Sequence, residues 1–385
     1  MNPIFAKQPP TIFDVMSGLA REHGAVNLGQ GFPDRDGAPD VRRKAADALM
    51  NASNQYPPSP GLMPLREAVA EHYGRLQGVK LDGPTEVVVT SGATEALAAA
   101  ILALVSPGDE VLLFQPTYDV YLPLVKLAGG TARLVDLKPP HWRMSAEAIE
   151  AAITPRTRLV LFNNPLNPAA VAYDAEQLDL LAAACVRHDL IAISDEVWEQ
   201  VVFDGRPHLT LIDRPGMRER TVKIGSAGKI FSLTGWKVGF ACAAPPLAAA
   251  VAKAHAFLTF TTAPNLQLAV AWGLAKEAAY FETMRADFAR SRDRLAASLT
   301  AEGFHVLPSQ GTYFVLADLK ASGLEVDDRT FCERAVREAG VAAIPVSAFY
   351  AERPVTSVIR LCFAKQDAVL DEGVERLAKA RRLFA

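Results

Sequence analysis

The stretch Thr221-Val222-Lys223-Ile224-Gly225-Ser226-Ala227-Gly228-Lys229 reads as a strand running into a turn of small residues, and the turn presents one lysine. Thr234-Gly235-Trp236-Lys237 follows and places a second lysine eight residues beyond the first. A lysine held against a protein wall beside cationic or polar groups can lose its proton near neutral pH and form a Schiff base with an aldehyde. Ser226, three residues before Lys229, and Lys237, eight after it, can share one anionic ligand group with that amine. Taken alone, S-x-x-K in a Gly/Ser turn is usually a surface lysine, because short motifs match by chance. The flanking segments decide between the two.

Strand-like and helical runs alternate on both sides of that turn. Glu86–Thr90, Glu110–Phe114, Ala132–Leu137, Arg158–Asn163, Leu190–Ser194, Thr221–Gly225 and Val238–Ala243 read as strands, with helices near 40–50, 64–77 and 94–105. Asp174–His188 sets Leu178, Leu181, Ala182 and Cys185 at i, i+3, i+4 and i+7, the spacing of a helix packed on a sheet. Strands that are apolar throughout and alternate with amphipathic helices predict an α/β fold, a mostly parallel sheet with helices on both faces. After a long helix over 278–302 the pattern changes. Phe304–Leu307, Tyr313–Leu319, Val341–Pro345 and Ser357–Ala364 read as strands, with helices near 328–339 and 366–382. The division expected is an N-terminal segment 1–40 packing with the small domain, a large domain 41–275 and a smaller α+β domain 276–385.

Composition narrows the function classes. The 385 residues are 50% hydrophobic and 22% charged with a formal net charge of -3, which suits a globular chain with two sizeable cores. A near-neutral balance without long basic runs argues against nucleic acid or a membrane surface as the main partner. Cys185, Cys242, Cys332 and Cys362 lie far apart in apolar contexts, so they read as core residues and suggest neither a metal site nor a disulfide framework. Met1–Pro10 lacks the pattern of a signal peptide and no apolar run is long enough to span a bilayer, so the expected location is cytoplasmic.

In an open parallel sheet, ligands bind outside the carboxyl ends of the strands, and the candidate polar residues fall there one after another. Ser91-Gly92-Ala93-Thr94 joins a strand to a helix and offers backbone N–H groups to a phosphate. Tyr118 follows the strand ending at Phe114 and can stack on a planar ring. Asn167 projects from Asn163-Asn164-Pro165-Leu166-Asn167-Pro168, where two X-Pro steps fix an extended turn. Asp195 ends an apolar strand and calls for a cationic partner, which a protonated pyridine nitrogen would supply. A Schiff-base lysine, a ring partner, a phosphate cradle and a stacking aromatic together point to pyridoxal 5′-phosphate.

In order, Ser-Gly-Ala-Thr, Asn-Pro-x-Asn-Pro, Ser-Asp-Glu-Val and Ser-x-x-Lys…Thr-Gly-Trp-Lys resemble fold-type-I, class I/II aminotransferases over nearly the whole chain. Val26–Asp34, Gly216–Gly239 and Ile359–Lys365 look like the kynurenine aminotransferase / glutamine transaminase K / methionine aminotransferase branch. The resemblance implies an aspartate-aminotransferase-like fold with a seven-stranded sheet, and transfer of an amino group from an L-amino acid to a 2-oxo acid. It implies that Lys229 carries the cofactor and shuttles protons, and that Asp195 pairs with the ring nitrogen. Asn167 would bond the ring hydroxyl, Tyr118 would stack, and Ala93, Thr94, Ser226 and Lys237 would hold the phosphate. Tyr56 would reach the phosphate of the neighbouring subunit of a homodimer. Arg360 would clamp the substrate carboxylate through its planar fork, helped by Gly31 and Asn167, with Phe13 on the substrate side. The family usually has Tyr where this chain has Trp198, whose indole donates but neither accepts nor ionises. Ala169-Ala170 also replaces the more usual Thr-Gly or Leu-Gly. Phe13, Trp198 and Phe260 suggest an apolar or aromatic pocket, hence methionine, glutamine, aromatic amino acids or kynurenine as donors. Two other activities fit the same motifs: a C–S β-lyase that forms pyruvate and ammonia from a cysteine conjugate, and a non-catalytic regulator on the same fold.

Overall fold

The computed structural model describes residues 2–6 and 9–384. Val26–Asn27 (β1) is too short to stand alone and pairs in parallel with Val341–Ala342, far along the chain. The main sheet has seven strands: Val87–Thr90 (β2), Glu110–Gln115 (β3), Thr131–Asp136 (β4), Thr157–Asn163 (β5), Ile191–Asp195 (β6), Thr221–Ser226 (β7) and Gly239–Cys242 (β8). Their order is β2-β8-β7-β6-β5-β3-β4, and β8 alone runs antiparallel to its neighbours. Val87-Val88-Val89-Thr90 and Glu110–Gln115 are buried along their whole length, as expected of strands covered on both faces. The covering helices start at recognisable caps. Asp174 accepts from Gln177 N to open Ala175–Arg187, and Ser145 accepts from Ala148 N to open Ala146–Ala152.

The C-terminal part carries a second sheet of His305–Val306 (β9), Phe314–Asp318 (β10), Ile344–Pro345 (β12) and Val358–Cys362 (β13), with Val341–Ala342 (β11) pairing back to β1. The order is β12-β13-β10-β9, all antiparallel. Arg360 sits opposite Leu316 and Ile344 in this sheet, so its side chain is fixed by two neighbouring strands. The four cysteines are free and buried. No helix among the described residues is long and apolar enough to cross a membrane.

Candidate active site

Parallel register brings the carboxyl ends of β5, β6 and β7 side by side, with Asn163 opposite Asp195 and Asp195 opposite Ile224. A cavity of 330 Å³ opens there, lined among others by Phe13, Gly31, Ala93, Thr94, Tyr118 and Asn167, and also by Asp195, Trp198, Ser226, Lys229, Lys237 and Arg360. Twelve of the fourteen residues singled out from the sequence therefore meet in one place. Tyr56 does not: it is 84% exposed and packs edge-to-face on Phe260 at 5.4 Å, away from the cavity of its own chain. Phe260 is likewise absent from the lining and half exposed, which removes it from the pocket of this chain.

Lys229 lies on the short helix Ala227–Ile230 that follows β7. Its Nζ donates to the Tyr313 hydroxyl at 3.0 Å and sits 4.4 Å from the centre of the Trp198 ring. Burial pushes the amine down to about 8; Arg360 and Lys237 push the same way, while Cys362 and Asp195 oppose it. Asp195, 4% exposed at the end of β6, accepts from the Tyr121 hydroxyl at 2.6 Å and from Val197 N at 3.4 Å. The cationic partner expected for it is not a side chain: among the described residues it makes no ion pair, and burial raises its carboxyl to about 6. Asn163 donates to the Asp195 carbonyl and accepts from Asn167 N, which aims the Asn167 side chain inward.

Arg360 is almost fully buried, and it too has no carboxylate within ion-pairing distance among the described residues. Its terminal nitrogens donate to Asn167 Oδ1 at 2.8 Å and to the Gly29 carbonyl at 3.0 Å, and its Nε has no partner. The guanidinium lies 3.8 Å from the Phe314 ring centre, with Phe13 at 5.2 Å and Phe349 at 5.4 Å. Burial draws it down to about 10, so it stays cationic near neutral pH. Gly31 is needed for this packing, because a Cβ there would stand 2.9 Å from Phe314 Cζ.

At the other side of the lining, Gly92 caps the helix Ala93–Leu104 with φ 79, a left-handed value that suits glycine. A Cβ on Gly92 would meet Lys237 Nζ at 3.3 Å, and one on Gly239 would meet Ala93 N at 2.7 Å. The absence of both side chains lets the helix N-terminus, Ser226 and Lys237 converge, a donor set suited to a phosphate. Tyr118 stands edge-to-face with Tyr121 at 5.7 Å, and burial raises its phenol to about 12.

Several lining residues escape sequence reasoning. Tyr121 lies three residues beyond Tyr118 on the helix Tyr121–Leu127 and could have been found by that spacing. Phe314 begins a strand of the other sheet and reads as ordinary core, as does Tyr313 just before it, which stands behind the lining and reaches Lys229 with its hydroxyl.

Residues 24–377 match the family described as aminotransferase class I and II, and the chain belongs to it. The chain is 45% identical to the probable N-succinyldiaminopimelate aminotransferase DapC of Mycobacterium tuberculosis over 96% of its own length and 95% of that protein. The solved structure of N-succinyldiaminopimelate aminotransferase from that organism superposes with a TM-score of 0.95, covering 99% of this chain and 100% of that one. Methionine aminotransferase of Escherichia coli is 42% identical, with 95% of each chain covered. Kynurenine–oxoglutarate transaminase 1 of Rattus norvegicus is 35% identical over 95% of this chain and 94% of that protein. The fold is the aspartate-aminotransferase-like one of pyridoxal-phosphate enzymes. This protein is an aminotransferase, moving an amino group from an amino acid to a 2-oxo acid.

Proposed function

We propose that the cavity holds pyridoxal 5′-phosphate joined to Lys229 and that Arg360 receives the α-carboxylate of the amino acid. The observation that carries this reading is a pair of buried charges lining one cavity, neither with an opposite side-chain charge: the Asp195 carboxylate and the Arg360 guanidinium. A buried charge left unpaired is costly, so each marks the place of a charged ligand group. The lining suits the cofactor: Asp195 for its ring nitrogen, Asn167 for its ring hydroxyl, Tyr118 against its face, and Ala93, Thr94, Ser226 and Lys237 for its phosphate.

When bound, that cofactor supplies an aldehyde for Schiff-base exchange with the amino acid and a protonated ring that accepts the electron pair released at Cα. The chain's own residues do the rest. Arg360 orients the substrate through a two-pronged contact, and the rings of Phe13, Phe314 and Phe349 keep water from its guanidinium. Lys229 Nζ, with an affinity for protons that balances near pH 8, takes the α-proton and can return it. Asp195 stays ionised beside a cation and so holds the ring proton in place.

Lys229, Lys237 and Arg360 are the cations lining the cavity, and each already has a task, leaving none for a second substrate carboxylate. Together with Phe13, Phe32, Trp198 and Phe314 in the lining, this favours donors with neutral side chains: methionine, glutamine, aromatic amino acids or kynurenine. Tyr56 is assigned to the phosphate of a second copy in a homodimer. The test is borohydride reduction of the protein incubated with pyridoxal 5′-phosphate, followed by peptide mapping. Label at Lys229, lost together with turnover in Lys229→Ala, is expected; a Lys229→Ala protein that still transaminates sinks the assignment. A panel of donors that includes methionine, kynurenine and N-succinyldiaminopimelate, each with 2-oxoglutarate and pyruvate, then reads the substrate.

A further inference from the structure

Tyr313 is fully buried immediately before β10, outside every motif that identifies the cavity, yet it is the hydrogen-bond partner of Lys229. The Gly31 carbonyl can only accept, so the Tyr313 proton must point to it, at 2.9 Å. The phenol therefore has only lone pairs left for Lys229 Nζ at 3.0 Å. The backbone that aims Tyr313 is unusual: Thr312, a buried β-branched residue, is held at φ 65, with its N–H on the Val201 carbonyl and its hydroxyl accepting from Phe314 N. Such a conformation persists where the surroundings dictate it, and it clusters at functional sites. The Tyr313 ring is clamped edge-on at 4.3 Å by Trp198, which stands where the resemblance leads one to expect a tyrosine.

We propose that Tyr313 is a positioning residue for Lys229, a fixed acceptor that holds the free amine in the cavity and favours its protonated form. The same segment, Gly29–Gly31, supplies the carbonyl under Arg360, so Tyr313 ties the lysine to the backbone that also seats the substrate clamp. The charged groups facing the amine are Asp195 from β6, Arg360 from β13 and Lys237, and the titratable but neutral Cys362 thiol of β13 faces it too. Burial and the two cations lower its proton affinity; the phenol oxygen and the Trp198 face act against them by binding an ammonium better than an amine.

This inference rests on Lys229 being the attachment point, and the experiment separates the two. In cofactor-free protein, the rate of Schiff-base formation with pyridoxal 5′-phosphate is followed against pH, and the product is trapped with borohydride and mapped. Tyr313→Phe keeps the ring and its packing but removes the acceptor. The midpoint of the pH profile for Lys229 is expected to fall by about one pH unit, because a hydrogen bond to a charged group is lost. A melting temperature would register a structural defect, but such a defect alone would not move that midpoint. If Tyr313→Phe does not fold, 3-fluorotyrosine placed at position 313, a weaker acceptor, is expected to move the midpoint in the same direction by less. Label at Lys229 with an unmoved or raised midpoint overturns the role of Tyr313 alone. No label at Lys229 in the unaltered protein overturns the attachment itself, and this inference with it.

Discussion

Asp195 burdens the protein whenever its cationic partner is missing. Its carboxyl is raised to about 6 by burial, above the ordinary value of an unfolded aspartate, so the folded state is penalised when the group ionises. That penalty is full above about pH 6 and is relieved as pH falls toward about 4, where folded and unfolded chains are both protonated. Asp195→Asn keeps the shape and can still accept from the Tyr121 hydroxyl. Cofactor-free Asp195→Asn is expected to be more stable than the parent by about 2–3 kcal/mol at pH 8 and nearly equal to it at pH 4, read by urea unfolding at both pH values. The same variant should bind pyridoxal 5′-phosphate at least about tenfold more weakly, since the ring nitrogen loses its counter-charge. No gain at pH 8 would mean that Asp195 is relieved by something other than the cofactor. Asp195, Asn167, Ser226 and Lys229 are legible in the sequence because each ends or follows an apolar strand, where a polar side chain needs a reason. Tyr121 and Tyr313 are not, because a phenol amid apolar residues looks the same whether it fills space or bonds a polar side chain, as these do to Asp195 and Lys229. Arg360 stands between, in the middle of a strand, found by its motif and not by its position.

Strands and helices with a clear period are readable, and the seven main strands fall within a residue or two of their sequence limits. The helices Pro245–Leu258 and Pro264–Leu274 are not, since apolar residues, alanines above all in the first, lie on most sides and leave no clear stripe to count. The two-residue strand β1 leaves no periodic signal, and Val341–Pro345, which reads as one strand in the sequence, is divided into β11, paired with β1, and β12 of the second sheet. Two predictions belong to this scale. Lys223 on β7 is fully buried and bonds Glu196 at 2.5 Å and Glu199 at 3.0 Å, just beyond the end of β6. Although burial alone would raise Glu196, Lys223 and His208 hold it down to about 2. The stability this provides is present above the usual glutamate range and is lost as pH falls from about 4 toward 2. Lys223→Met strands two carboxylates in the core and is expected to cost about 3–5 kcal/mol at pH 7 in denaturant unfolding. A cost below about 1 kcal/mol would show that the network relaxes or hydrates. Gly239→Ala probes the phosphate end, where the new Cβ would lie 2.6 Å from Gly92 C and 2.7 Å from Ala93 N. The turn after β2 must shift to admit it, so overpacking should cost about 1–3 kcal/mol and cofactor affinity should drop about tenfold. Titration by fluorescence quenching measures the second effect, and unaltered affinity would move the phosphate elsewhere.

At the scale of the whole molecule, one face is poorly explained by a single chain. Phe257 is 94% exposed and Tyr56 84%, and the half-exposed Phe260 packs edge-to-face on the Tyr56 ring. The two segments that carry them are pinned together, with His255 Nε2 on the Ser59 carbonyl at 3.0 Å and Thr261 Oγ1 donating to the Pro58 carbonyl. Large exposed aromatics on a well-fixed face suit an interaction surface. The homodimer proposed above would account for both the exposure and the absence of Tyr56 from the cavity of its own chain, with the phenol serving the neighbouring site. Phe257→Asp places a charge on that face without touching the cavity lining. Light scattering on the size-exclusion peak is expected to give twice the 41.4 kDa chain mass for the parent and a shift toward one chain for Phe257→Asp, with weaker cofactor retention. Tyr56→Phe should leave the mass doubled and lower cofactor affinity by about ten- to a hundredfold, the loss of one hydrogen bond to a charged oxygen. If Phe257→Asp stays dimeric, the covered face lies elsewhere. If Tyr56→Phe binds the cofactor as tightly as the parent, Tyr56 has no part in the neighbouring site, and each cavity is complete within its own chain.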